Sequence, residues 1–224
     1  MIEVELKFAL TAQVRQQLEA RLAVMPSVQY VGQVTSTDVY YDTAQYDCLR
    51  RAIFVRIRDQ KRVEIKFHRD DDPEHIQSIE RTFPVQATPE QMQEFNSLCA
   101  HLLPAWRAAE TIEQALQASG LEAFVSIKKQ RMVYTCRAIT LCLDRVEELG
   151  DFLEMEMLCE EQTEVGEAKE ARASMQEAMT HLHRFVAELA LPALKPVEVG
   201  YVELWLYRYL PHAYRLGRYQ MKES

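Results

Sequence analysis

Stretches in which polar and apolar residues alternate recur along the chain and predict β-strands, because successive residues of a strand point to opposite faces. The first eight residues alternate strictly, and their polar face consists of Glu3, Glu5 and Lys7. Later segments repeat the pattern, each with ionisable side chains on one face, at 53–58, 63–68, 78–83, 141–146 and 152–158.

Segments with apolar residues at helical spacing lie between the strands. Thr11 can cap a helix that carries Val14, Leu18 and Leu22 at a spacing of four, and Pro26 ends it. Further helices are predicted at 88–102, 112–118 and 164–189 and in the aromatic tail 199–209, where Tyr201, Trp205 and Tyr209 form a stripe. Strands are predicted at 28–43, 52–59, 62–69, 77–83, 121–137, 138–146 and 152–161, and a loop at 70–73. This order predicts an α+β domain built on an antiparallel sheet.

The charged strand faces favour a sheet that closes on itself. At least six strands carry ionisable residues on one side, and both signs of charge are represented. If the apolar faces lie outward under the helices, the charged faces line an inner tunnel, and closure removes the sheet edges. Alternation alone also allows an open antiparallel sheet whose charged face meets solvent.

Composition narrows the class of protein. The 224 residues include 48% hydrophobic and 27% charged residues, as in globular proteins, and the net charge of −8 argues against general nucleic-acid binding. The apolar runs are too short to span a bilayer, and no signal-peptide pattern opens the chain. The five irregularly spaced cysteines form no CxxC pair, which indicates reduced thiols and a cytoplasmic location.

A tunnel lined with charges needs ligands that offset them. A buried charge without a partner costs several kcal/mol, whereas a whole domain is stable by roughly 5–15 kcal/mol. Carboxylates on the charged faces would suit a hard cation such as Mg²⁺ or Mn²⁺, and they are Glu3, Glu5, Glu80, Asp144, Glu154 and Glu156. Bases on the same faces would suit phosphate oxygens, and they are Lys7, Arg56, Arg58, Lys66, Lys129 and Arg131. The set predicts a site for a polyphosphate and its metal.

These residues resemble the CYTH superfamily, the triphosphate tunnel metalloenzymes. The opening ExExK motif is present as Glu3-Val4-Glu5-Leu6-Lys7. The basic strand pair is present as Val55-Arg56-Ile57-Arg58 and Glu64-Ile65-Lys66. The late signature, an aspartate followed by a glycine turn and paired glutamates, runs from Asp144 through Gly150 to Glu154-Met155-Glu156. The resemblance implies one domain over residues 1–224, a closed eight-stranded antiparallel β-tunnel flanked by helices, with a helical C-terminal segment at about 164–212.

The resemblance also implies roles for individual residues. Metal ligands would be Glu3, Glu5, Asp144, Glu154 and Glu156. Triphosphate ligands would be Lys7, Arg56, Arg58, Lys66 and one or both of Lys129 and Arg131, with Glu80 as a further tunnel carboxylate. The catalytic set would be Glu3, Glu5, Lys7, Arg56, Arg58 and Lys66. The family's C-terminal lysine has no clear counterpart, since 197–206 offers Gly200 and Tyr201, and the nearest bases are Lys195 and Arg208.

The implied activity is Mg²⁺- or Mn²⁺-dependent hydrolysis of a small-molecule triphosphate, either inorganic tripolyphosphate or thiamine triphosphate. Phe54, next to the basic strand, could stack on a thiamine ring or simply pack at the tunnel mouth. Two alternatives stay open: a class IV type adenylate cyclase, and a non-catalytic module that binds polyphosphate or nucleotide. The expected partners are the substrate alone, without nucleic acid or membrane, for a monomer or homodimer.

Overall fold

The computed structural model describes residues 2–67, 77–159, 168–192 and 194–221. The strands are Ile2–Leu10 (β1), Gln29–Asp42 (β2), Ile53–Arg58 (β3), Arg62–Phe67 (β4), Gln77–Pro84 (β5), Glu122–Cys136 (β6), Ile139–Val146 (β7), Gly150–Cys159 (β8) and Lys195–Pro196 (β9). The helices are Ala12–Val24 (α1), Asp47–Arg50 (α2), Pro89–Leu102 (α3), Ile112–Ala118 (α4), Ala168–Glu188 (α5), Tyr201–Tyr209 (α6) and Pro211–Tyr214 (α7). Every strand and helix expected from the alternating and helical patterns is present, and three short elements, α2, β9 and α7, are additional. The expected loop at 70–73 lies outside the described residues. So do the last two residues of the strands expected at 62–69 and 152–161, and the first four residues of the helix expected at 164–189.

The strands pair in the order β5-β4-β3-β2-β6-β7-β8-β1, and β5 also pairs with β1. Eight strands therefore form a ring, and the short β9 adds to β1. The registered pairs are antiparallel, as in β1 with β8, β6 with β7 and β3 with β4. The prediction of an α+β fold built on a closed ring of eight antiparallel strands with flanking helices is confirmed.

Residue contacts divide the chain into two compact units. The first unit consists of Met1–Thr35, Asp71–Ile79 and Lys129–Gly200. In it, β1 pairs with β8 along its whole length, from Ile2↔Cys159 to Leu10↔Asp151. Helices α1 and α5 both pack on β1 and β8.

Helix α1 differs from its predicted packing. Its buried residues are Arg15, Leu18 and Leu22, so an arginine takes the place on the apolar stripe that the spacing assigned to Val14. The N-terminal cap is as expected, because the Thr11 side chain accepts a hydrogen bond from Val14 N. A buried arginine needs acceptors, and those of Arg15 are described below.

The second unit consists of Ser36–Asp70, Glu80–Lys128 and Tyr201–Ser224. Its core joins the apolar faces of β3 and β4, through Val55 and Ile65, to α3 and α4, through Phe95 and Ile112. Helix α3 begins with a capping box, in which Thr88 and Gln91 each bond the other's backbone N–H. The outward apolar face of the β3–β4 hairpin is thus covered by helices, as the strand alternation predicted.

Two further expectations concern helices. In α6, Tyr201 is buried but Tyr209 is 42% exposed, and the packed positions are instead Val202, Glu203 and Leu206. None of the helices in the described ranges is long and apolar enough to cross a bilayer. The single-domain organisation stays a prediction.

Candidate active site

The pairing of β1 with β8 brings charged side chains of the first unit together. The register sets Glu5 opposite Glu156 and Lys7 opposite Glu154. Directly opposed residues project to the same face, with Cβ atoms about 5 Å apart. The ExExK strand and the paired-glutamate strand, which lie far apart in sequence, therefore present their charges side by side.

Lys7 lies at the centre of this group. Its Nζ is 2.7 Å from Glu5 Oε1 and 3.2 Å from Glu154 Oε1, and it donates to the carbonyl oxygen of Val199 at 3.4 Å. Only 8% of Lys7 is exposed. A buried ammonium group is tolerated here because carboxylates on two strands offset its charge.

Arg131 on β6 bonds Glu154 as well and adds a further carboxylate, Asp144. Its Nε and Nη2 donate to the two oxygens of Asp144 at 2.7 and 2.6 Å, and Nη2 also bonds Glu154. Lys129 Nζ lies 3.9 Å from Asp144 Oδ2. We call the set Glu3, Glu5, Lys7, Lys129, Arg131, Asp144, Glu154 and Glu156 the first network.

The carboxylates of the first network differ in their affinity for protons. Burial raises the pKa of Glu154, but Arg131 and Lys7 outweigh burial and hold that pKa well below its usual range. Burial and the nearby Glu3 raise the pKa of Glu156 to about 7, with Glu154 and Glu5 adding to the rise and Arg131 opposing it. Negative charge is therefore well offset at Glu154 and poorly offset at Glu156.

A divalent cation fits this donor set. Glu3 and Glu5 follow each other on one face of β1, and Glu156 faces Glu5, so oxygen ligands of the kind that Mg²⁺ and Mn²⁺ prefer are adjacent. Burial is the main cause of the raised pKa of Glu156, and the negative charge of Glu3 adds to it. A cation bound nearby would favour the charged carboxylate. Across the described ranges, no three His, Cys, Asp or Glu side chains form a ready-made metal cage. Mg²⁺ commonly needs only one or two carboxylates when substrate phosphates complete its coordination.

The second unit contains a separate group of arginines and acids, which we call the second network: Asp38, Tyr40, Arg56, Arg58, Arg62, Glu64 and Glu80. Arg58 donates to Asp38 Oδ2 through Nη2 at 2.8 Å and to Glu64 Oε1 through Nη1 at 3.3 Å. Arg62 also donates to Glu64. Asp38 and Glu64 are only 1% and 2% exposed, so the acceptors that fix these arginines are buried.

Arg56 is the other fixed guanidinium of the second network. It donates to Glu64 Oε2 at 2.7 Å, to the Tyr40 hydroxyl at 3.2 Å and to Glu80 Oε2 at 3.4 Å. Burial raises the pKa of Tyr40, and for Glu64 the guanidinium groups of Arg56 and Arg58 outweigh burial and lower the pKa. Strand β3 thus presents two arginines whose forks are oriented by buried acids.

Comparison with known proteins identifies the family. The family model of the CYTH domain matches residues 1–186. The chain belongs to the CYTH family. No curated protein sequence matches it.

Solved structures with the same fold share little sequence with this CYTH protein. The PH1819 protein from Pyrococcus horikoshii is 21% identical and covers 92% of this chain and 99% of its own, with a TM-score of 0.61. An adenylate cyclase candidate from Vibrio parahaemolyticus is 15% identical, covering 92% of this chain and 98% of its own, with a TM-score of 0.57. HpAC1 from Hippeastrum, an adenylyl cyclase candidate described as having a dominant triphosphatase activity, is 20% identical, covering 92% and 94%, with a TM-score of 0.51.

The residues predicted from the CYTH motifs fall into both networks. Eight of them form the first network, and Arg56, Arg58 and Glu80 belong to the second. Phe54 and Lys66 face each other across the β3–β4 pair and are half-buried. Their roles toward a triphosphate stay predictions.

Two bases, Lys195 and Arg208, lie near the position of the family's C-terminal lysine along the chain. Lys195 is exposed and pairs with Ala9 on β1, and the Arg208 guanidinium lies 5.4 Å from the centre of the Tyr209 ring. In the same segment the carbonyl oxygen of Val199 accepts a hydrogen bond from Lys7.

Sequence reasoning missed the acids that orient the arginines. Asp38 and Tyr40 alternate with half-buried residues on β2, and Glu64 alternates with Val63 and Ile65 on β4. The period-two pattern placed Glu64 on the charged face with Lys66, and it could have placed Asp38 and Tyr40 there as well. Their pairing with Arg56 and Arg58 depends on the register between strands, which the pattern does not contain.

Proposed function

We propose that this CYTH protein hydrolyses a small-molecule triphosphate with the help of Mg²⁺ or Mn²⁺ and releases phosphate. Inorganic tripolyphosphate is the first candidate substrate, and thiamine triphosphate is the second. The triphosphatase activity described for HpAC1 supports the reaction class. We expect no nucleic acid or membrane as partner.

One observation supports the proposal above all others: the first network combines bases with crowded carboxylates on one set of strand faces. Lys7 and Arg131 supply positive charge for phosphate oxygens, while Glu156, opposite Glu5, has a pKa raised to about 7. A polyphosphate with its metal provides both the anion and the cation that such a group can bind.

Glu3 and Glu5 are the proposed metal ligands, with Asp144, Glu154 and Glu156 as the further carboxylates of the set. Asp144 and Glu154 already bond Arg131, so we assign them first to orienting that base. A divalent ion bound there would supply charge neutralisation and polarisation of the phosphate oxygens.

The chain's own residues would carry the other steps. Lys7, Lys129 and Arg131 bind phosphate oxygens and hold the chain of phosphates in line for attack. Glu156, which faces Glu5 across the strand pair, orients the attacking water and takes its proton at a carboxylate oxygen. Arg56 and Arg58, with forks already fixed, are proposed as further ligands of phosphate.

A substrate panel tests the proposal. Purified protein is assayed for phosphate release from tripolyphosphate, thiamine triphosphate and ATP, with Mg²⁺, with Mn²⁺ and with a chelator. We expect metal-dependent release from at least one triphosphate and its loss in Glu3→Gln. Glu122→Gln, an exposed glutamate at the start of β6, is the matched control and should retain activity.

The same panel separates the alternatives. Cyclic AMP and pyrophosphate from ATP would replace the proposal with a cyclase. Calorimetric binding of tripolyphosphate without any turnover would indicate a binding module instead of an enzyme.

A further inference from the structure

Arg15 is a buried arginine on the inner stripe of α1, outside every motif that predicted the site. Only 8% of it is exposed. Its Nη1 donates to the backbone carbonyl of Asp144 at 3.0 Å and to Asp151 Oδ1 at 2.9 Å, and its Nε donates to Glu19 at 2.8 Å. One guanidinium therefore links α1 to β7 at Asp144, a member of the first network, and to β8 at Asp151.

The position of Arg15 is unusual for a merely structural side chain. Leu18 and Leu22 occupy the same stripe, and a third apolar residue would bury without any cost of desolvating charge. Two acids, Glu19 and Asp151, offset the charge of Arg15, and Arg145 shares Asp151 at 3.1 Å. Such a charged arrangement fixes direction more strictly than apolar packing does, because a planar fork bonds only acceptors in its plane.

The bond from Arg15 acts on the backbone of Asp144, and the Asp144 side chain acts on Arg131. Both oxygens of Asp144, which is 0% exposed, accept from Nε and Nη2 of Arg131. This leaves Nη1 as the guanidinium nitrogen of Arg131 that is not committed to Asp144. A shift of the Asp144 backbone would therefore move its carboxylate and change the orientation of the Arg131 guanidinium.

We infer that Arg15 is a positioning residue: by holding the Asp144 carbonyl it sets the orientation in which Arg131 meets a phosphate group. The inference rests on the binding step of the proposed function. It does not require turnover or metal.

The experiment measures tripolyphosphate binding by calorimetry in a chelator, so that neither hydrolysis nor metal affinity enters. Arg15→Met keeps most of the side-chain volume but removes the donors. We expect its dissociation constant to rise on the order of tenfold, the size of effect usual for residues that orient a ligand. Arg15→Lys keeps the charge but not the fork, and it should recover less than half of this loss. Arg21→Met on the same helix, whose guanidinium donates to Glu188 O at 3.4 Å at the surface, should bind like the wild type.

A double-mutant cycle separates positioning from general destabilisation. In an Arg131→Lys background the fork is already lost, so Arg15→Met should weaken binding by less than twofold further. If Arg15→Met raises the dissociation constant by the same factor in both backgrounds, the inference is overturned, because only independent sites contribute additively to the free energy. An unchanged dissociation constant in Arg15→Met, with only a lower melting temperature, would also overturn it.

If Arg15→Met does not fold, Arg15→Lys and Asp151→Asn carry the same cycle. Asp151→Asn weakens the second acceptor of the Arg15 fork and should act in the same direction. Wild-type protein that binds tripolyphosphate but never hydrolyses it would refute the proposed function alone. Wild-type protein that binds no tripolyphosphate in chelator would overturn the inference, whereas the proposed function is tested separately by phosphate release with Mg²⁺ or Mn²⁺.

Discussion

Arg131 and Asp144 lie directly opposite each other on β6 and β7, and two hydrogen bonds of 2.7 and 2.6 Å join their side chains. The CYTH motifs assign the aspartate to a metal and the arginine to phosphate. In the structure the aspartate is fully buried and both of its oxygens bond the arginine. Asp144 therefore acts first on Arg131, and any metal it helps to bind must share it with that guanidinium.

Because this pair is buried, we expect Arg131→Met to lower the free energy of unfolding substantially. The substitution would remove both of these bonds from the buried Asp144 carboxylate, whereas Lys129 would remain 3.9 Å away. Breaking a buried pair in this way costs about 3–5 kcal/mol. Urea unfolding should show the loss, and Arg131→Lys, which keeps a charge, should lose less.

Arg145→Met on the neighbouring strand is the control for this prediction. The Arg145 side chain is 62% exposed, so its removal should change stability by no more than about 0.5 kcal/mol. A similar loss in both variants would show that the Arg131–Asp144 pair carries no special weight.

Much of the fold and site could be predicted because the decisive signals are local. Period two in the first strand placed Glu3, Glu5 and Lys7 on one face, and the structure keeps them there. Apolar residues at helical spacing predicted a helix at 88–102, and α3 spans Pro89–Leu102 with Thr88 as its cap. Such patterns depend only on backbone geometry and nearest neighbours.

The partners of these residues could not be predicted in the same way. That Lys7 meets Glu154, or Arg131 meets Asp144, depends on which residues the strand register sets opposite each other. Arg15 escaped prediction for a related reason: apolar spacing favoured Val14, and only the acceptors on β7 and β8 make a buried arginine tolerable.

The carboxyl group of Glu156 predicts an unusual dependence of stability on pH. Its pKa rises from an ordinary value of 4.5 to about 7 in the folded protein. The folded state thus holds the proton more tightly, so this group's contribution is complete below pH 4.5 and is lost as the pH rises toward 7. The loss should be on the order of 2–3 kcal/mol in metal-free protein.

Glu156→Gln removes the titrating group and tests this sign. Its free energy of unfolding, measured in chelator from pH 4.5 to 7.5, should fall less with rising pH than that of the wild type. Glu122→Gln should follow the wild-type curve. Identical slopes for wild type and Glu156→Gln would contradict the prediction.

The second network predicts that Arg58 matters for both stability and phosphate affinity. Arg58→Met removes the guanidinium that bonds Asp38, whereas Arg56 lies 3.6 Å from the same carboxylate. We expect a loss of about 3–5 kcal/mol, partly recovered when Asp38→Asn is added, because the neutral amide no longer buries a charge. Thermal unfolding of the single and double variants measures this.

Arg58→Lys separates charge from geometry in the same network. It keeps a positive charge near Asp38 but cannot bond a phosphate through two parallel donors. The KM for tripolyphosphate should rise while kcat changes little, as for a lost binding contact. Arg50→Lys, at an exposed arginine of α2 that donates to the Gln45 carbonyl oxygen, is the control and should leave both constants near the wild-type values.

We expect Asp42 to stabilise the short helix α2. The N-cap residue of this helix, Tyr46, makes no side-chain capping hydrogen bond. The Asp42 side chain accepts backbone N–H bonds from Thr43 at 2.8 Å, from Cys48 at 2.9 Å and from Leu49 at 3.0 Å. Asp42→Ala would leave these donors without their acceptor in a site where the aspartate is only 3% exposed. The expected cost is about 2–4 kcal/mol, more than for a single cap, because several buried donors lose their partner at once.

Asp42→Asn keeps one carbonyl oxygen and should lose about half as much, whereas Asp42→Ser, too short to reach the helix, should resemble alanine. Chemical denaturation that ranks asparagine with alanine would show that the charge, and not the acceptor geometry, stabilises this turn.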